Sequence, residues 1–149
     1  MAKIELHPDF KDFLKYLNSQ KVEYLLVGGY AVGYHGYPRA TGDMDVWIAV
    51  DDENAEKVAT VLHKFGMSQT EATKELFLQK DKIIRMGLPP VRIEIITGVS
   101  GIDFIDCYSR RQTVEIDDIP VSIISLTDLK INKKASGRFK DLEDLKHLP

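Results

Sequence analysis

The residues of this chain best suited to chemistry are a glycine pair, Gly28-Gly29, and, after thirteen intervening residues, Asp43-Met44-Asp45. Glycines directly after a buried strand let the backbone approach a bulky anion closely, and a following helix would aim its free N–H groups at that anion; phosphate is the natural candidate. Two carboxylates at i and i+2 on a strand project side by side from one face, spaced to share divalent cations as Asp pairs do in magnesium-dependent phosphoryl transfer. They repel one another unless a cation or an arginine intervenes. The plain alternative is a glycine turn beside an exposed acidic edge. The glycine pair and the spacing together favour a site.

A third acid stands in Val91-Arg92-Ile93-Glu94-Ile95-Ile96, where Arg92, Glu94 and Ile96 share one face. Glu94 in so apolar a strand asks for a partner, either a metal or Arg92. Arg39 and Thr41 precede the acids, where a cation and a hydroxyl can reach phosphate oxygens, although an arginine in a Gly-Pro loop is usually solvated. Near the end of the chain, Arg138–Asp141 and Lys140–Asp144 have the i, i+3 and i, i+4 spacing of ordinary surface ion pairs. His35 and His63 show no metal-ligand spacing, Tyr30, Tyr34 and Tyr37 read as packing, Asp103 and Asp106 as solvated, and Cys107 as core.

The elements that must position these residues follow from periodicity. Phe10, Phe13, Leu14 and Leu17 predict an amphipathic first helix; Val22–Val27 predicts a strand running into the glycines, with a short helix over Tyr30–Tyr34. His35–Gly42 reads as loop and Asp43–Val50 as a half-buried strand, so that Asp43 and Asp45 share a face. Asp51 and Asp52 are caps for a helix over Glu53–Phe65 that ends at Gly66. Leu76–Gln79, Lys82–Met86 and Val91–Thr97 predict three short strands. A Gly98–Gly101 loop leads to a helix over Ile102–Tyr108, and Gln112–Ile116 and Val121–Ile124 form a hairpin around Asp117–Pro120. Leu126–Ala135 and Arg138–Leu148, broken at Ser136-Gly137, complete the chain as helices, the last with Leu142, Leu145 and Leu148 three apart. The fold class is therefore α+β, a mixed α/β sheet flanked by helices, in a single domain over 1–149.

Composition bounds the function. With 44% hydrophobic residues, and 20 basic against 23 acidic side chains for a net charge of −3, the 149-residue chain is globular and gives no strong nucleic-acid signal. No apolar run approaches a membrane span, Met1–Lys15 lacks the core of a secretory signal, and a single cysteine fits a reducing compartment, so a cytoplasmic address is expected.

The segment GGYAVGYHGYPRATGDMDVWI resembles the signature of the DNA polymerase beta-like nucleotidyltransferase superfamily, and within it the small bacterial proteins related to abortive-infection toxins and to minimal nucleotidyltransferases of toxin–antitoxin pairs. RATGDMDVWI is similar to the strand that carries the paired acids, VRIEIITGVSGIDF to the third-carboxylate strand, and KKASGRFKDLEDL to the closing helix pair; Glu94 stands where many members carry Asp. The resemblance implies a nucleotidyltransferase-like fold in which Asp43, Asp45 and Glu94 are catalytic and hold two Mg2+ ions. It implies that Gly28 and Gly29 hold the triphosphate, that Arg39 and Thr41 assist, and that Lys134, Arg138 or Lys140 turns toward the phosphates, Lys134 and Arg138 foremost. The implied activity is transfer of a nucleoside monophosphate from an NTP to an acceptor hydroxyl, Glu94 being the candidate base. The acceptor is expected on a partner protein, or at a protein or transfer RNA end. The rivals are a catalytically silent nucleotide-binding or antitoxin-like partner module, and a structural domain whose acids pair with Arg39 and Arg92.

Overall fold

The strand β1 (Tyr24–Val27), buried along its whole length, lies inside a six-stranded sheet in a computed structural model that describes residues 4–39 and 41–149. Met1 to Lys3 of the expected 1–149 domain, and Ala40 of the expected His35–Gly42 loop, lie outside the described residues. The other elements are α1 (Pro8–Ser19), α2 (Gly28–Tyr34), β2 (Asp43–Ile48), α3 (Asp52–Lys64), β3 (Ile83–Leu88), β4 (Val91–Ile96), α4 (Phe104–Ser109), β5 (Gln112–Ile116), β6 (Ile119–Ile123), α5 (Leu126–Ser136) and α6 (Phe139–His147). The sheet order is β3-β4-β2-β1-β6-β5. β2 pairs with β4 and β1 with β6 in parallel, while the β1–β2, β3–β4 and β5–β6 pairs are antiparallel, giving a mixed α/β fold.

Alternation along β2 separates two environments. Met44, Val46 and Ile48 are fully buried on one face; Tyr24, paired with Ile48, points the same way and donates its hydroxyl to Asn18 of α1. Asp43, Asp45 and Trp47 take the opposite face. The start of α3 is fixed by Asp51, whose carboxylate accepts from the Asn54 N–H, and by buried Asn54, which bonds Glu23 and Ala49 backbone groups. α5 opens on a Ser125 cap and ends at Gly137 in the left-handed conformation.

Three expectations need correction. Leu76–Gln79 contributes no strand: Glu75–Leu78 is a 3-10 turn that buries Phe77 and leaves the other residues of the segment outside the sheet. The second helix starts at Gly28, two residues before Tyr30. The β5–β6 hairpin turns on Asp117 and Asp118 alone, both with positive φ, since a two-residue turn of that hand matches the twist of the strands.

Candidate active site

Parallel pairing of β2 with β4 sets Asp43 opposite Arg92 and Asp45 opposite Glu94, and antiparallel pairing with β1 sets Asp45 opposite Val27. Gly28 therefore follows directly at the carboxylate of Asp45. Its φ is +66°, and a Cβ there would lie 2.0 Å from Asp45 Oδ2, so both conformation and contact require glycine. At Gly29 a Cβ would come within 2.9 Å of Thr41 Cβ and Oγ1, so this residue makes room for Thr41. Thr41 Oγ1 in turn donates to the Asp43 carbonyl at 3.1 Å. A cavity of 490 Å³ brings together Gly28, Gly29, Arg39, Thr41, Asp43, Asp45, Glu94 and Arg138. These are all of the sequence-derived site residues except Lys134.

The acids do not stand in equal fields. Arg92 holds Asp43 with two hydrogen bonds, Nε to Oδ1 at 2.8 Å and Nη2 to Oδ2 at 3.0 Å, and reaches Glu94 Oε1 at 3.2 Å. Arg85 approaches the same Glu94 oxygen at 3.3 Å. Asp45 has no such partner, and its Oδ1 is buried without a hydrogen bond. Burial first, then the charge of Glu94, a hydrogen bond with Glu94 that only the protonated form donates, and the charge of Asp43 push its carboxyl up to about 7, against a smaller opposing pull from Lys133. Here is a half-buried carboxyl, one oxygen sealed from water, that only a nearby cation would hold fully ionised.

That cation is not Arg39. Arg39 turns away from the acids and grips Asp144 of α6 through two bonds of 2.8 and 2.9 Å. Nor is it Lys134, which is exposed; its neighbour Lys133 is 5% exposed and lines the cavity, with Nζ 3.0 Å from Asp141 Oδ1 and 3.1 Å from Asp144 Oδ2. The reason is helical phase. Lys133 lies four residues after buried Leu129 and seven after Leu126, on the stripe that α5 turns inward, and Lys134 is rotated off it. That stripe was the overlooked signal.

α6 keeps part of its leucine series inward, with Leu148 buried. Its other buried positions are Asp141 and Asp144, each 1% exposed, while Leu142 is exposed. The pairs Arg138–Asp141 and Lys133–Asp141 are thus part of a buried network rather than surface decoration, and the expected Lys140–Asp144 pair gives way to Arg39 and Lys133. Burial pushes the Asp141 carboxyl up, but hydrogen bonds from Arg138, Ser136 and Lys133 outweigh it and hold the group at about 2. His35 and His63 bond the carbonyls of Ile124 and Ala72, and burial lifts the Cys107 thiol to about 11, so none is a ligand or nucleophile.

Among the described residues, no three His, Cys, Asp or Glu side chains form a ready metal cage. The donor chemistry nevertheless suits a hard divalent ion at Asp45 and Glu94: oxygen ligands, one of them orphaned and buried. Asp43 can join only by releasing Arg92. No helix among the described residues is long and apolar enough to cross a membrane.

No family model matches the chain and no curated protein matches it. Solved structures do. A Thermotoga maritima protein assigned as a nucleotidyltransferase superposes with a TM-score of 0.63 at 17% identity, over 95% of this chain and 93% of its own. An antigenic nucleotidyltransferase-like protein from Paracoccidioides brasiliensis superposes with a TM-score of 0.54 at 22% identity, over 95% and 76%. The chain has the nucleotidyltransferase fold.

Proposed function

We propose that this chain transfers a nucleoside monophosphate from a nucleoside triphosphate to an acceptor hydroxyl, with magnesium at Asp45, Glu94 and, once Arg92 lets go, Asp43. The observation that carries the reading is the Asp45 carboxylate, buried against Glu94 with one oxygen unpartnered in a cavity that also holds the glycine turn. A carboxyl with one oxygen sealed from water and unpartnered costs the free protein stability, and a site that tolerates such a cost is one built for a ligand.

The triphosphate lies along the Gly28-Gly29 turn, where the first backbone N–H groups of α2 have no acceptor within the helix. Arg138 and Lys140, which line the cavity from α6 and its approach, counter the phosphate charge. The acceptor oxygen forms a bond to the α-phosphorus as the bond to pyrophosphate breaks, the bonding pair leaving with pyrophosphate and the hydroxyl proton passing to Glu94 or Asp45. Magnesium, when bound, would activate the acceptor oxygen and neutralise the leaving group.

A second reading, a catalytically silent nucleotide-binding or antitoxin-like partner module, has one observation in its favour: Arg92 already neutralises Asp43. Purified protein incubated with each α-labelled NTP, magnesium and an RNA and protein acceptor pool tests both. Labelled acceptor with the wild type and none with Asp45→Asn supports the transferase; magnesium-dependent NTP binding by calorimetry without any transfer supports the silent module; neither overturns both.

A further inference from the structure

Arg92 occupies the place that a cation shared between two acids would take. Its guanidinium meets both oxygens of Asp43, at 2.8 and 3.0 Å, and Glu94 Oε1 at 3.2 Å, so that one group bridges two of the three carboxylates. The Arg92 side chain is 28% exposed, so the bridge can open without unfolding the sheet. The strand register leaves it room. Opposite Arg92 on β3 stands Gly87, whose φ of +83° and close approach to the Val91 carbonyl require glycine, so no side chain stands beside the guanidinium at that position. Arg85 adds a second contact to the same Glu94 oxygen, through Nε at 3.3 Å, from a side chain 54% exposed. Both arginines line the cavity that holds the glycine turn.

We infer that Arg92 is a counter-ion latch. It holds the metal site closed in the free protein and passes from Asp43 to a phosphate of the incoming nucleotide, so that nucleotide and divalent ion load cooperatively. The inference rests on the transferase reading for its nucleotide and extends it by giving Arg92 a positioning role. A guanidinium fork fits carboxylate and phosphate alike, so the passage exchanges one set of charge-assisted bonds for another of the same kind. A divalent ion entering between Asp43 and Glu94 meets the positive charge of Arg92 at both, and must break the fork to bind. A nearby phosphate offers the guanidinium a new anion and lowers the cost of that break. The free energy so recovered couples the two ligands, and the coupling is reciprocal.

Mn2+ serves as the metal probe, because its free concentration is read by electron paramagnetic resonance without turnover. Adenosine monophosphate serves as the nucleotide probe, since it presents a phosphate without the pyrophosphate that would chelate the ion in solution. Without nucleotide, Arg92→Gln is expected to bind Mn2+ about ten-fold more tightly than wild type, within the usual range of coupling between sites. Arg92→Lys keeps the charge and loses the fork, and should still gain about three-fold. Arg85→Gln removes an equal charge from beside Glu94 but touches no fork, and should gain less than about two-fold. Adenosine monophosphate should tighten Mn2+ binding by wild type about five-fold and by Arg92→Gln less than about two-fold. Melting temperatures with and without Mn2+ show that each variant folds; where Arg92→Gln does not, Arg92→Lys decides alone. Equal Mn2+ affinity in wild type and Arg92→Lys overturns the latch, because a gain confined to Arg92→Gln reports only the lost charge. Equal effects of the monophosphate on wild type and on the folded Arg92 variant overturn the passage to phosphate. Nucleotide transfer alongside either result leaves the transferase reading standing. The expected affinities without transfer to any acceptor overturn that reading and leave the latch.

Discussion

Replacing Lys133 by Met retains a long, flexible, apolar stem and removes the ammonium that sits 3.0 Å from Asp141 and 3.1 Å from Asp144. Breaking a buried ion pair by deleting one partner typically costs about 3–5 kcal/mol, because a charge is left uncompensated. Here two acids lose a partner, yet each keeps an arginine, Arg138 on Asp141 and Arg39 on Asp144, which places the expected loss near the lower end, about 3 kcal/mol. For a domain of this size that is a fall of roughly 6–12 °C in Tm. Lys134→Met, one residue along and exposed, should stay within about 0.5 kcal/mol of wild type. Thermal melts and urea titrations with unchanged m-values give both numbers. The difference between Lys133→Met and wild type should also close in acid: Asp141, held at about 2, contributes stability that is fully present above pH ~4 and is lost as the pH falls through its folded value. Equal melting temperatures for Lys133→Met and wild type at pH 7, or a larger loss for Lys134→Met, would refute the buried network.

Asp45, whose carboxyl is raised to about 7, imposes the opposite pH dependence: the folded state holds its proton more tightly, so stability falls as pH rises from ~4 to 7. Asp45→Asn should then melt above wild type at pH 8 without magnesium, by up to about 4 kcal/mol, with the gap closing toward pH 4; a variant less stable than wild type at pH 8 contradicts this. Gly28→Ala must accept the left-handed backbone, about 1–2 kcal/mol, and also displace Asp45 Oδ2, whereas Gly66→Ala meets nothing within 4 Å and bears only the conformational term. Urea unfolding should therefore show a larger loss at Gly28, and equal losses would mean that Asp45 does not abut the turn.

The sequence by itself determined what depends on near neighbours. Asp43 and Asp45 share a face because strands alternate, Glu94 stands out because its strand is otherwise apolar, and helices α1, α3 and α5 announce themselves by stripe and cap. The resemblance carried the nucleotidyltransferase fold, and the cavity then gathered the glycine turn and the three acids. Tertiary structure alone decided how the charges are matched. Two arginines lie near the acids in sequence, and only strand pairing sends Arg92 to Asp43 while α6, brought in over a hundred residues later, draws Arg39 away to Asp144. The inward stripe of α5 was legible in Leu126 and Leu129, but the burial of a charged Lys133 on it was not. A lysine or aspartate on the inner stripe looks like surface until the partner that neutralises it is known, and that partner sits on another element, since burial of a charge is decided by the pair and not by the residue.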